Sequence, residues 1–121
     1  MLELVQREIW QKATDLLLPV FAVTNKFPPD ELQSQMNQLR AAAVGIVVHL
    51  AEGLSSDNEL DLQRFWNSSL AAAQDCIAGL QIAKRLELCP PKEVEDLMAR
   101  ADEIARMLNV LLNNPGKTVK T

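Results

Sequence analysis

The chain of 121 residues has twelve basic and sixteen acidic side chains, a net charge of −4, and 48% apolar residues. This composition is globular and allows one domain with a sizeable core. The acidic balance weakens the electrostatic attraction that drives binding to nucleic-acid phosphates. The longest apolar run, residues 41–48, is far shorter than the ~20 residues of a membrane span.

Neither the cysteines nor the N-terminus indicates an oxidising compartment. Cys76 and Cys89 have no CxxC or Cys/His ligand spacing, so we expect two reduced thiols. The opening residues "MLELVQREIWQKATD" are charged early and lack the apolar core of a signal peptide. These features predict a soluble, cytoplasmic protein.

The first helix is predicted at about residues 2–25, before the break "NKFPPDE". Its apolar stripe consists of Leu2, Val5, Ile9, Leu16 and Val20, flanked by Trp10, Leu17 and Phe21. Pro19 lies inside it and predicts a kink or an irregular turn between Asp15 and Pro19. After the break, Asp30 with Gln33 resembles a capping box for the second helix, at about 31–52.

The third helix is predicted at about residues 57–87 and the fourth at about 91–113. In the break "EGLSSDNE", Gly53 suits a helix stop, and Ser56 with Glu59 forms a capping box. In "ELCPPKE", Pro91 suits a first turn. The apolar stripes are Leu62, Phe65, Trp66, Ala73, Ile77 and Leu80, then Val94, Leu97, Met98, Ala101, Ile104, Ala105, Leu108 and Leu111. Short connections predict an all-α, antiparallel up-down-up-down four-helix bundle over residues 1–114, with a flexible tail at 115–121.

The second helix differs from the others because it is apolar on two faces. Leu32, Met36, Leu39, Ala43, Ile46 and Leu50 have the heptad spacing of a bundle seam, while Ala41, Val44, Gly45 and Val48 cluster on its back. Each helix of a four-helix bundle keeps one outer face, so this back needs another cover. We expect a second subunit there, with Gly45 and Ala41 allowing a close approach.

The stretch "RAAAVGIVVHLAEG" carries three polar residues, Arg40, His49 and Glu52, as candidates for an active site. Arg40 and His49 are half a turn apart and point in opposite directions. His49 and Glu52 can meet, but a carboxylate-bridged metal site in a bundle needs further Glu and His ligands, and the chain has one histidine. We therefore expect a His49–Glu52 hydrogen bond at a helix end or subunit seam, and no metal or cofactor.

No catalytic arrangement emerges elsewhere. None of the serines at positions 55, 56, 68 and 69 forms a recognisable catalytic arrangement with the histidine. Ser55 and Ser56 are suited to capping helices. There is no glycine-rich phosphate loop. The aromatic residues on apolar faces, Trp10, Phe21, Phe65 and Trp66, are expected in the core rather than in a base-stacking platform. An enzyme is not expected.

The order of landmarks resembles a bacterial four-helix-bundle family whose founding members are encoded in intervening sequences of large-subunit ribosomal RNA genes. The landmarks are "IWQKA", "NKFP", "QLRAAAVGI...LAEG" and "AKRLEL", and the resemblance covers residues 8 to 112. The densest match lies at Gln38 to Gly53. The resemblance implies small bundles that assemble into rings, commonly homopentamers, with a mostly undefined role.

A related branch of that family comprises basic pentamers that accompany the reverse transcriptase of diversity-generating retroelements. This chain departs from the family pattern at Ala41, at His49 and in "LSSDNELD" after Glu52-Gly53, where positive charge or asparagine is usual. We therefore predict a non-enzymatic homo-oligomer, a pentamer by resemblance. Its predicted interface comprises Arg40, Ala41, Val44, Gly45, Val48, His49 and Glu52. Arg40 of one chain is expected to approach Glu52 of its neighbour, since the two lie on different sides of one helix. The alternative is a nucleic-acid-binding accessory of a retroelement or ribosomal RNA locus.

Overall fold

A computed structural model of the chain describes residues 2–28 and 32–113. It contains four helices: α1 (Leu2–Thr24), α2 (Gln33–Leu54), α3 (Glu59–Arg85) and α4 (Pro91–Leu112). No strand occurs in these residues. The all-α prediction is confirmed, and the helix boundaries differ from the predicted ones by two residues or fewer. The predicted tail lies outside the described residues.

Each helix packs against the helices before and after it in the chain, and α4 returns to α1. Two ion pairs show that α1 and α4 are antiparallel, because Lys12 pairs with Glu103 and Lys26 pairs with Glu93. This arrangement is the up-down-up-down four-helix bundle that the short connections predict. It leaves every helix with one face directed away from the core.

The heptad stripes meet in a single core. Most of the predicted stripe residues are buried, including Ile9, Leu16 and Val20 of α1 and Leu39, Ile46 and Leu50 of α2. Trp66 is fully buried and its indole Nε1 donates to the Leu50 carbonyl at 3.4 Å. Trp10 was predicted to be core but is 36% exposed, because it lies at the edge of the α1 stripe, facing outward beside α2.

Asn58, not Ser56, caps the N-terminus of α3. The Asn58 backbone is extended, and its side chain accepts from the Asp61 N–H at 2.8 Å. Ser56 instead donates its hydroxyl to the Glu52 carbonyl at the end of α2. The capping-box prediction was therefore wrong by two residues, because Asn is an equally good cap and lies closer to the first apolar turn.

Gly53 is not a helix stop. It lies within α2, which continues to Leu54, and the glycine has a negative φ. A Cβ at Gly53 would collide with the indole of Trp66. Glycine is required here because the bulkiest core side chain lies directly against the α2 backbone.

Two further expectations concern α1 and the start of α2. α1 runs through Pro19 without interruption, so the irregular turn is absent; burial of Leu16 and Val20 on either side stabilises the helix against the lost hydrogen bond. The predicted cap Asp30 lies outside the described residues. At the N-cap position of α2 stands Leu32, with no side-chain capping bond. Pro91 occupies the first turn of α4, as predicted.

Candidate assembly surface

The middle of the α2 face directed away from the core is apolar. Three residues on it, Ala41, Val44 and Val48, form what we call the outward ridge. Val44 is 40% and Val48 47% exposed, and Ala41 is also exposed. The second apolar face predicted for this helix is therefore uncovered in the single chain. Burying such side chains stabilises an interface by ~25 cal/mol per Å² of apolar area removed from water.

Ala41 of the outward ridge borders a groove of about 750 Å³ between α2 and α3. The floor of this α2–α3 groove consists mainly of alanine and glycine from both helices, with Ile82 exposed at one end and His49 at the other. Five of the small residues are Ala42, Gly45, Ala71, Ala78 and Gly79. Small side chains leave a shallow surface that another helix could approach.

The glycines of the groove serve contacts within the chain. A Cβ on Gly45 would meet the Cβ of Ala72 at 3.3 Å, and one on Gly79 would meet Leu39 Cδ1 at 3.1 Å. The helix that approaches Gly45 closely is thus α3 of the same chain. Ser69 strengthens this seam, since its buried hydroxyl donates to the Ile46 carbonyl at 2.8 Å.

Arg40 lies on the opposite side of α2 from His49, as the rotation angle predicts, and binds the end of α1. Its Nε donates to Thr24 Oγ1 at 2.7 Å and its Nη2 to Asn25 Oδ1 at 2.6 Å. The guanidinium also stacks on Phe21, 4.8 Å from the ring centre. Arg40 therefore fixes the α1–α2 connection, a role that the sequence does not reveal.

The predicted His49–Glu52 hydrogen bond is present, at 2.7 Å between Nδ1 and Oε1. Both side chains are partly exposed, and His49 lines one end of the α2–α3 groove. The described residues contain no group of three His, Cys, Asp or Glu side chains able to hold a metal ion. The pair is a local contact on one helix, as expected.

Two acceptors in the α2–α3 groove lack partners. Asp75 is exposed and forms no hydrogen bond or ion pair with the described part of the chain. The Oε1 atom of Gln35 is buried and also has no hydrogen-bond donor among those residues. The contribution of α3 to this surface was missed in the sequence. Its signal is the spacing of exposed Ala71, Asp75, Ala78 and Ile82 along one face.

The nucleophile candidates are poorly placed for catalysis. Burial raises the pKa of the Cys76 thiol to about 12, so it stays protonated at neutral pH. Burial also raises the pKa of Cys89, and Glu93 adds to this effect. Ser68 borders the α2–α3 groove with His49, but its hydroxyl donates to the Arg64 carbonyl. None of these groups is activated as a nucleophile.

The fold and this surface define a small all-α, four-helix-bundle protein. Its sequence matches the profile described as "23S rRNA-intervening sequence protein" over residues 6–110. The chain therefore belongs to the 23S rRNA-intervening sequence protein family.

The fold is similar to a solved structure from Bacteroides thetaiotaomicron, described as a protein with unknown function from the S23 ribosomal protein family. The TM-score is 0.80 at 13% identity, covering 90% of this chain and 98% of that one. At this identity the likeness shows the fold alone. A comparison with curated proteins gave no match. Among the described residues, the helices are too short or too polar to cross a bilayer.

Proposed function

We propose that this chain is a non-enzymatic assembly protein that functions as a homo-oligomer, with α2 supplying much of the contact between subunits. The observation that carries the proposal is the exposure of the outward ridge, Ala41, Val44 and Val48, on a helix whose opposite face is already buried. Family resemblance suggests five subunits. The predicted interface residues Gly45, His49 and Glu52 lie on or beside the α2–α3 groove, next to this ridge.

The predicted contact between Arg40 of one copy and Glu52 of the next has a geometric difficulty in a ring. The two residues are twelve positions apart on α2, which is about 18 Å along a helix. In a ring whose axis runs parallel to the helices, neighbouring copies meet at equal heights. Arg40 would then need a different acidic partner.

The test is native mass spectrometry of the untagged protein with a matched pair of variants. Val48→Asp places a charge on the outward ridge, whereas Val110→Asp makes the same change at a similarly exposed valine (52%) of α4. We expect oligomers for the wild type and Val110→Asp but monomers for Val48→Asp. Far-UV circular dichroism should show that all three remain helical.

A monomeric wild type at micromolar concentration would contradict the proposal, as would an intact oligomer of Val48→Asp. The same spectra test the alternative, a nucleic-acid-binding accessory, through co-purifying nucleic acid. The described charges give that alternative little support, because six cations already pair with acids: Lys12, Lys26, Arg64, Lys84, Arg100 and Arg106. Trapped nucleic acid released by salt would favour it.

A further inference from the structure

Two groups of exposed apolar side chains lie on adjacent faces of the bundle that share α2, and the outward ridge lies between them. On the α2–α3 face, Ile82 is 46% exposed at one end of the α2–α3 groove. On the α1–α2 face, Trp10 and Leu54 border an open cleft of about 540 Å³. A two-fold contact that pairs one face with itself would leave the other face uncovered. Pairing the two different faces covers both.

Pairing two different faces generates a closed ring when the rotation between copies is suitable. In a ring of four, the two contact directions of a subunit differ by roughly 90°, and in a ring of five by about 108°. Adjacent faces of a four-helix bundle differ by roughly 90°. Such a ring places α2 nearest the axis and α4 outermost, where the exposed ion pairs of α4 remain in water.

The positions of the charged groups along the bundle axis indicate which charged residues of neighbouring copies can pair. Gly45 lies opposite Ala72, and α2 and α3 are antiparallel, so Asp75 is level with Ala41 and Ala42. Arg40 is therefore only about 3 Å from Asp75 in height along the bundle axis. Asp75 faces the α2–α3 groove and has no partner in the described part of the chain, while Arg40 lies on the α1–α2 side.

From these heights and faces we infer that the α2–α3 groove of one copy receives the α1–α2 edge of a second copy, with Arg40 of that copy paired to Asp75. This inference rests on the proposed homo-oligomer and specifies which surfaces meet. A guanidinium has five N–H donors, so the two bonds of Arg40 to Thr24 and Asn25 leave donors for a carboxylate. The contact is head-to-tail: each copy supplies the arginine on one side and the aspartate on the other.

Disulfide cross-linking between unlike variants tests the pairing of faces. Val44 is one helical turn after Arg40 on the same side of α2, and Ala71 lines the α2–α3 groove at nearly the same height. Val44→Cys and Ala71→Cys are each made with Cys89→Ser, while buried Cys76 is kept. After mixing and mild oxidation, we expect a disulfide between the two variants and none within either variant alone. Ala99→Cys, exposed on α4, is the control and should stay reduced.

The outcomes separate this inference from the proposed function. If native mass spectrometry shows oligomers but each variant links only to itself, the head-to-tail pairing is wrong while homo-oligomerisation stands. If no oligomer forms, the proposed function fails first. A chain carrying both Val44→Cys and Ala71→Cys should give a series of disulfide-linked oligomers. The largest of these gives the number of subunits.

Charge reversal tests the Arg40–Asp75 contact. We expect Asp75→Lys to weaken assembly about tenfold, because it places two cations together at the interface. Asp96→Lys makes the same charge change on α4, outside both faces, and should leave the assembly constant unchanged. Assembly of Asp75→Lys at wild-type strength would overturn the assigned contact, even if the disulfides form.

Discussion

α2 and α4 each contain 22 residues, but their outer faces differ in composition. α4 buries one apolar stripe and surrounds it with charge. Its acids pair with Lys84 of α3 at 2.9 Å and with Lys12 of α1 at 2.6 Å. α2 buries a similar stripe but exposes Val44 and Val48 on its other side. The difference teaches that the outer face of α4 is mainly charged, apart from exposed Val110, whereas the outer face of α2 carries an uncovered apolar ridge, which is why we propose a subunit contact there.

The largest effect should come from the inward sides, where the two helices are alike. Leu50→Ala in α2 and Leu108→Ala in α4 each remove a fully buried leucine. We expect each change to lower the free energy of unfolding by about 2–5 kcal/mol, measured by urea denaturation at fixed protein concentration. If one of them cost under 1 kcal/mol, the inward faces would not be equivalent.

Gly53→Ala should destabilise the protein by about 2 kcal/mol, because the new Cβ collides with Trp66. Alanine normally stabilises a helix relative to glycine, so the direction is diagnostic. Gly45→Ala is the matched control, since its Cβ would only approach Ala72 at 3.3 Å and should cost less. Chemical denaturation of both variants checks the order. A stabilised Gly53→Ala variant would show that the indole can move aside.

Arginine substitutions sharpen the contrast between the two helices. Arg40→Ala removes two hydrogen bonds and a ring contact from α2, and we expect a loss of about 1–2 kcal/mol. Arg106→Ala breaks an exposed pair with Asp102 on α4 and should cost under about 0.5 kcal/mol. Equal losses in thermal or urea unfolding would contradict the structural role of Arg40.

Burial of Cys76 in the core can be tested through the pH dependence of the free energy of unfolding. The pKa of its thiol is about 12 when folded and 9.0 in the reference state, so both states are protonated below pH 9. Above pH 9 the unfolded thiol ionises first, and stability falls as pH rises toward 12. At pH 10 we expect a loss of about 1.4 kcal/mol relative to pH 8.

Cys76→Ala is the reference for that measurement, because it lacks the thiol and should lose less stability over the same interval. Urea unfolding of both proteins at pH 8 and pH 10 gives the difference. Identical pH dependence of the two proteins would mean that Cys76 is accessible to solvent in the folded chain.

Much of the architecture is readable from periodicity. Heptad spacing in α2 and α4 identified their buried residues, and the breaks at Pro28 and Pro91 separated the helices, because helix geometry repeats regularly along the chain. The candidate surface was only half predictable. Val44 and Val48 follow from rotation about one helix, whereas the position of Asp75 across the groove from Ala41 depends on how α3 docks against α2.

The order of apolar, polar and helix-breaking residues determined four helices, their antiparallel sequence and the apolar back of α2. These are local properties, set by the 3.6-residue turn and by short connections. Only the tertiary structure decided why Gly53 is glycine, that Arg40 binds Thr24 and Asn25, and that Asp75 has no partner among residues 2–28 and 32–113. Each of these depends on distances between helices, which side-chain packing sets and no single-helix pattern contains.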